Sequence, residues 1–425
     1  MLLSGALEVK KMEEQVDVLD SMQQVVKTAL EQLGYPKEIY DVSKEPIRLL
    51  TVRIPVNMDD GKTKVFTGYR AQHNDVVGPT KGGIRFHPKV TEREVKARAM
   101  NVSLQSGIAD LPFGGGKGGV ICDPRKMSFQ ELERLSRGYI RAIRSVIGSG
   151  KDILSSDMFT NSQMMAWMLD EYEQIHALDA SNYITGKPMV LGGTLGKEEA
   201  IVNGIMICLK RAAKQKEIEL AEAKVIIQGF GNAGSLLAKQ LQKNGATIVG
   251  IADANGALYD EKGLDIDYLI DRKDSFGMVT NLFNHPLSHE QLLRKECDIL
   301  IPAAIESQIT NHIASSLQAA IVVETGKRSA TDEATDILHQ RGILLIPDIL
   351  ASIGDLVVSY FEWVQNNQGY YWSEEKVKEE IETVIGRAFD KVYQLSAGRK
   401  INMRLASYMI GVRKMAEATR FRGWV

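Results

Sequence analysis

The sequence predicts an α/β fold of two units: a Rossmann-type doubly wound nucleotide-binding unit, and a second α/β unit drawn from the first half of the chain. Two observations carry this. From Lys224 onward, short apolar runs alternate with amphipathic helical ones, a rhythm that implies right-handed crossovers and a parallel sheet. Within that stretch, Gly229-Phe230-Gly231-Asn232-Ala233-Gly234 fits G-x-G-x-x-G, after an apolar strand and at the opening of a helix. At 425 residues, the chain has room for two or three cores.

Taken in order, residues 12–33 place Val16, Leu19, Met22, Val26 and Leu30 at helical intervals, which predicts a helix. Leu49–Val56 and Lys64–Tyr69 alternate and are rich in β-branched residues, so both read as strands. Thr91 with Glu94, and Ser128 with Glu131, are capping boxes that open helices; the second runs through Leu132, Leu135, Tyr139 and Ile143. Met158–Tyr172 reads as a methionine-rich helix, and Tyr183–Gly193 as a connection between units. Beyond it, Lys224–Gln228, Ala246–Ile251, Asp298–Pro302, Ala320–Val323 and Ile343–Ile346 read as strands, with a helix over Ser235–Lys243. After Leu350 the pattern turns helical through Val357–Gln365, Ser373–Leu395 and Met403–Ala418.

Composition narrows the class. Charged residues at 25% and hydrophobic ones at 44% describe an ordinary globular chain, and a formal charge of −2 without a basic run speaks against nucleic-acid binding. Cys122, Cys208 and Cys297 are few, odd in number and distant, which points to a reducing compartment and buried thiols. The charges at Glu8, Lys10 and Lys11 follow too short an apolar stretch for a signal peptide, and no run approaches a membrane span, so a cytoplasmic protein without membrane partners is expected. The seven histidines are dispersed, His73 and His87 reading as structural or loop residues, and no metal site is expected.

Two stretches carry chemistry. In the G-x-G-x-x-G run, Gly229 makes the tight turn, Gly231 lets backbone reach a pyrophosphate, and Gly234 allows close helix–strand packing. The helix opening at Ser235 offers amides and a partial positive charge. Asp253 ends the next strand, where a carboxylate takes a ribose 2′-hydroxyl and favours NAD over NADP; the plainer reading is a strand-end turn residue before Asn255-Gly256. The second stretch is Pro112–Gly119, Pro-Phe-Gly-Gly-Gly-Lys-Gly-Gly, read as a loop with one lysine among glycines. Partial desolvation there lowers the Lys117 ammonium pKa and suits it to proton transfer.

Together with Gly78–Pro88, Asn161–Glu171, Ile184–Gly193 and Val358–Asn366, these stretches make the chain resemble, over nearly its whole length, the bacterial hexameric glutamate dehydrogenases and their leucine, valine and phenylalanine relatives. The resemblance implies a substrate-binding and oligomerisation domain at 1–188, completed by C-terminal helices at 355–425. It also implies a dinucleotide-binding Rossmann domain at 189–354, a cleft that closes between them, and a homohexamer. By the same resemblance, Lys117 is the catalytic lysine that polarises the carbinolamine and imine through water. Asp157 handles the protons of ammonia, and Lys81 with Ser359 holds the distal carboxylate of the substrate.

Several positions depart from the family pattern. Gln105 replaces the lysine for the substrate α-carboxylate; Ile201 and Lys197 replace a threonine and an arginine; Lys327–Thr331 replaces Asn-Gly-Pro-Thr-Thr beside the cofactor; Leu154-Ser155-Ser156 replaces Pro-Ala-Pro; and Asp355 breaks a glycine pair. A carboxylate without its lysine loses roughly 1.5–3 kcal/mol of charge-assisted bonding. The carboxamide that Ile201 leaves unpaired costs ~1–3 kcal/mol. The expected activity is NAD-dependent interconversion of L-glutamate with 2-oxoglutarate and ammonia. The alternatives are a weak or inactive paralogue with a regulatory or structural role, and an amino-acid dehydrogenase of altered specificity.

Overall fold

The computed structural model describes residues 18–148, 150–177, 179–274, 277–283, 286–303, 308–326 and 328–425. The first unit runs α1 (Val18–Gln32), α2 (Lys37–Ser43), β1 (Arg48–Asn57), β2 (Thr63–Gln72), β3 (Thr80–Phe86), α3 (Glu92–Ile108), β4 (Gly114–Val120), α4 (Phe129–Ile143), β5 (Asp152–Ser156) and α5 (Ser162–His176). The second runs α6 (Ala200–Gln215), β6 (Lys224–Gln228), α7 (Asn232–Lys243), β7 (Thr247–Ala252), β8 (Ala257–Tyr259), α8 (Ile266–Asp271), α9 (His289–Leu293), β9 (Ile299–Pro302), α10 (Asn311–Ser316), β10 (Ile321–Val323), α11 (Asp332–Gln340) and β11 (Leu344–Ile346). Helices α12 (Asp348–Ala351), α13 (Gly354–Gln368), α14 (Glu374–Arg399) and α15 (Met403–Phe421) close the chain.

The first sheet has the order β1-β2-β4-β3-β5, with β3 parallel to both β4 and β5. The second has the order β11-β10-β9-β6-β7-β8 and is parallel apart from β8, a short antiparallel edge strand the sequence reading did not anticipate. Its strand order reverses at β6, whose neighbours are β7 and β9, and the crevice at such a switch point is where α/β sheets hold nucleotides. One apolar core joins both units: Met100 and Leu104 of α3, Ile205 of α6, Ile227 of β6, Phe361 of α13 and Met409 of α15 belong to it.

Most strands and helices lie where periodicity predicts, and the differences have local causes. Gly114–Val120 is not a loop but an inner strand, and Thr80–Phe86 is its parallel neighbour. Here glycine permits close approach: a Cβ on Gly115 would lie 2.0 Å from the Ala99 carbonyl oxygen of α3. The helix predicted from Met158 begins at Ser162, because Asn161 caps it by accepting from the Met164 amide and Asp157–Thr160 forms a turn with Phe159 at φ 58°. The Ser128–Glu131 capping box is complete. That of Thr91 is half made: its hydroxyl accepts from the Glu94 amide, while the Glu94 carboxylate accepts from Arg85 and Arg98. Of the helix predicted over 12–33, residues 12–17 lie outside the described residues.

Candidate active site

Side chains alternate across a strand, so Lys81, Gly83 and Arg85 of β3 share a face. The parallel register sets Lys81 beside Gly115, which puts Lys117 on that same face of β4. At Gly83 the missing side chain matters, since a Cβ there would lie 2.8 Å from the Cβ of Asp157. Asp157, just past β5, thereby reaches in beside Lys117. The Lys117 ammonium donates to Asp157 Oδ2, and Arg85 Nε donates to Oδ1 at 2.9 Å. The Met158 amide also donates to Oδ1, at 2.7 Å.

The electrostatics follow from this packing. Burial pushes the Asp157 carboxyl up, but Lys117 and Arg85 outweigh it and hold the group well below the usual carboxylate range. Burial lowers the Lys117 ammonium pKa; Asp157 opposes the fall and Arg98 of α3 adds to it. The lysine is 5% exposed while the Asp157 side chain keeps 20%, so the cation is held on the dry side of the pair, where charge acts more strongly than in water.

Next to it lies a second group of polar side chains. Lys81 is fully buried and donates to Thr185 Oγ1 at 2.6 Å, and that hydroxyl donates to the Leu154 carbonyl oxygen at 3.0 Å. Burial pushes Lys81 down to about 7, and Lys197 adds to the fall. Ser359 of α13 does not bond Lys81. Its hydroxyl accepts from Lys197 Nζ at 2.6 Å, and Lys197 also donates to Asp355 Oδ1 at 2.6 Å. Lys81, Lys197 and Ser359 thus form a cradle of donors suited to a carboxylate. Gln105 of α3, expected at an α-carboxylate, donates to Ser352 Oγ at 2.9 Å.

The nucleotide stretch has the features its motif requires. Gly229 has φ 120°, and a Cβ on Gly234 would lie 1.9 Å from the Gly229 carbonyl oxygen, so helix and strand meet at van der Waals limit. Around Gly231 a Cβ would meet nothing within 4 Å, and no side chain caps the first turn at Asn232, which leaves its amides facing open space. This fits a pyrophosphate. Asp253 is more committed than expected. Its carboxylate accepts from the amides of Asn255, Val279 and Thr280 and from the Thr280 hydroxyl at 2.6–2.9 Å, filling the lone pairs a carboxylate has. These bonds keep it ionised, its pKa lying below the ordinary value although burial raises it. Ile201 stands exposed in the first turn of α6, and Lys327 lies outside the described residues.

The sequence reading missed Arg85, Thr185 and the pair Lys187–Glu362, and gave Lys197 no role. Strand alternation from Lys81 reveals Arg85. Lys187 Nζ donates to Glu362 Oε1 at 2.7 Å, both side chains almost wholly buried, and the Gly186 amide donates to Oε2 at 2.8 Å. Gln365 and Asn366 of α13 donate to Thr194 Oγ1 and the Gly192 carbonyl oxygen. The Val358–Asn366 segment is therefore a clamp that seats the 184–194 connection against Ser359.

A family model described as Glutamate/Leucine/Phenylalanine/Valine dehydrogenase matches residues 192–423, and its dimerisation-domain counterpart matches residues 46–174. The chain is 60% identical over 416 residues to the cryptic catabolic NAD-specific glutamate dehydrogenase GudB of Bacillus subtilis (strain 168), covering 97% of each chain. Among solved structures, glutamate dehydrogenase from Peptoniphilus asaccharolyticus is 37% identical with a TM-score of 0.85, covering 96% of this chain and 100% of that one. The hetero-hexameric glutamate dehydrogenase from Thermus thermophilus, in a leucine-bound form, is 34% identical with a TM-score of 0.89, covering 96% and 98%.

Proposed function

The chain belongs to the Glutamate/Leucine/Phenylalanine/Valine dehydrogenase family, and from that premise we propose that it is an NAD-dependent glutamate dehydrogenase, interconverting L-glutamate with 2-oxoglutarate and ammonia. The observation that carries this is the Lys117–Asp157 pair beside a donor cradle whose Lys81 shares the sheet face of Lys117. NAD-specific relatives support the cofactor.

When bound, the dinucleotide supplies a hydride acceptor or donor at the substrate α-carbon; the protein does the rest. The open first turn at Asn232, with Gly229, Gly231 and Gly234, holds the pyrophosphate, and the buried, ionised Asp253 disfavours a 2′-phosphate by its charge. Lys81, Lys197 and Ser359 take the distal carboxylate. Lys117 donates toward the oxygen leaving the α-carbon, and Asp157, as carboxylate, accepts protons from the substrate amine. Gln105, whose amide donates to Ser352 Oγ, would offer the α-carboxylate only a neutral partner, so turnover is slower than a lysine there would allow. We assign residues 1–188 with 355–425 to substrate binding and assembly and 189–354 to the dinucleotide, with Ile201 on the nicotinamide side. A homohexamer is proposed from the likeness to a hexameric neighbour.

The test is NADH consumption with 2-oxoglutarate and ammonium. The native chain should turn over, Lys117→Ala should lower kcat at least about 10³-fold, and Gln105→Lys should raise kcat/KM by roughly tenfold or more. A native rate at background would falsify the assignment.

A further inference from the structure

Asp355 stands in the first turn of α13, four residues before Ser359 and so on the same side of the helix. Lys197 lies across both. Its ammonium donates to Asp355 Oδ1 at 2.6 Å, to Ser359 Oγ at 2.6 Å and to the Asp355 carbonyl oxygen at 3.3 Å. Lys81 is within electrostatic reach of both Lys197 and Asp355. An internal carboxylate thus sits on the very donor that, with Ser359, would receive the distal carboxylate of a substrate.

Exposure makes that contact exchangeable. The Asp355 side chain is 40% exposed, so it can swing into water without leaving a buried unpaired charge, and an ion pair this accessible is worth little by itself. Its tether, on the other hand, gives it an effective concentration that a free ligand has to match. A carboxylate in solution therefore has to displace Asp355 before Lys197 Nζ can turn its donors outward, and the negative charge left nearby opposes the incoming one.

We propose that Asp355 is an internal competitor for the substrate's distal carboxylate, occupying the cradle on Lys197 and lowering the affinity of this chain for dicarboxylic acids. Asp355 is on this account a specificity-determining residue: it penalises ligands with an anionic end group and leaves the Lys117–Asp157 chemistry untouched. The inference rests on reading Lys81, Lys197 and Ser359 as the anion cradle.

The experiment uses the full chain and glutarate, a dicarboxylate without the reacting α-substituent, titrated by calorimetry into the native protein, Asp355→Asn and Asp355→Gly. The asparagine variant is nearly isosteric and guards against loss of fold in the glycine one. Both should bind glutarate about three- to tenfold more tightly, and KM for 2-oxoglutarate should fall by a similar factor with kcat within about twofold. Unchanged affinity overturns the proposal. Weaker binding overturns it too, because Asp355 would then be positioning Lys197 rather than competing for it. The two readings separate cleanly. Tighter glutarate binding with turnover at background removes the enzyme assignment and keeps the competitor; normal turnover with unmoved glutarate affinity does the reverse.

Discussion

Lys81 shows how burial decides the behaviour of a single charge. Desolvation brings its ammonium down to about 7, so it titrates near neutral pH. Below that pH the lysine is charged and attracts a carboxylate; above it the lysine is neutral and contributes only a polar contact. Glutarate affinity should therefore fall as pH rises through about 7, approaching about tenfold per pH unit above it, as measured by calorimetry across pH 6–9. An affinity that is flat or rising over that interval contradicts the role given to Lys81. Asp157 is the opposite case: two cations hold it ionised throughout the same range.

At the scale of elements, the glycine strand β4 is the feature that places Lys117. Its glycines serve packing, since β4 lies between β2 and β3 and under α3. Gly115→Ala puts a Cβ 2.0 Å from a backbone oxygen that the helix cannot withdraw, and should destabilise the chain by about 3 kcal/mol or more, read as a fall in urea midpoint. An unchanged midpoint would mean that α3 and β4 are not in contact as described. A run of glycine reads as a loop because it lacks the β-branched residues that signal strands, and only the partners β2, β3 and α3 make it one. The helix at Ser162, by contrast, could have been placed by its Asn161 cap, a local signal that Met158 before it obscured.

For the whole molecule, α15 packs on α1 and α3 and is also tied to the second sheet. Arg404 Nη2 donates to both oxygens of the buried Glu324, at 2.8 and 2.9 Å. The last helices thus bridge the two units, although they follow the nucleotide stretch in sequence. Assembly belongs to this scale: light scattering after size exclusion should give six times the 47.1 kDa chain mass, and a monomer or dimer at micromolar concentration rules out the proposed hexamer.

By itself the sequence determined what short-range physics encodes. Periodicity placed most strands and many of the helices, though not α2 or α6, the capping boxes opened helices, and G-x-G-x-x-G was legible in its strand-to-helix context because turn, cap and packing requirements all fall within six residues. The family motifs named Lys117 and Asp157, Lys81 and Ser359. What only the tertiary structure decided is who touches whom. Lys117 meets Asp157 across 40 residues, while Ser359 bonds Lys197 across 162 and leaves Lys81 to Thr185. Asp253 is taken by amides 26 and 27 residues on, and Asp355 comes to lie on the cradle. Those partnerships depend on sheet register and on helices crossing between units, long-range contacts for which a single chain of letters carries no local signal.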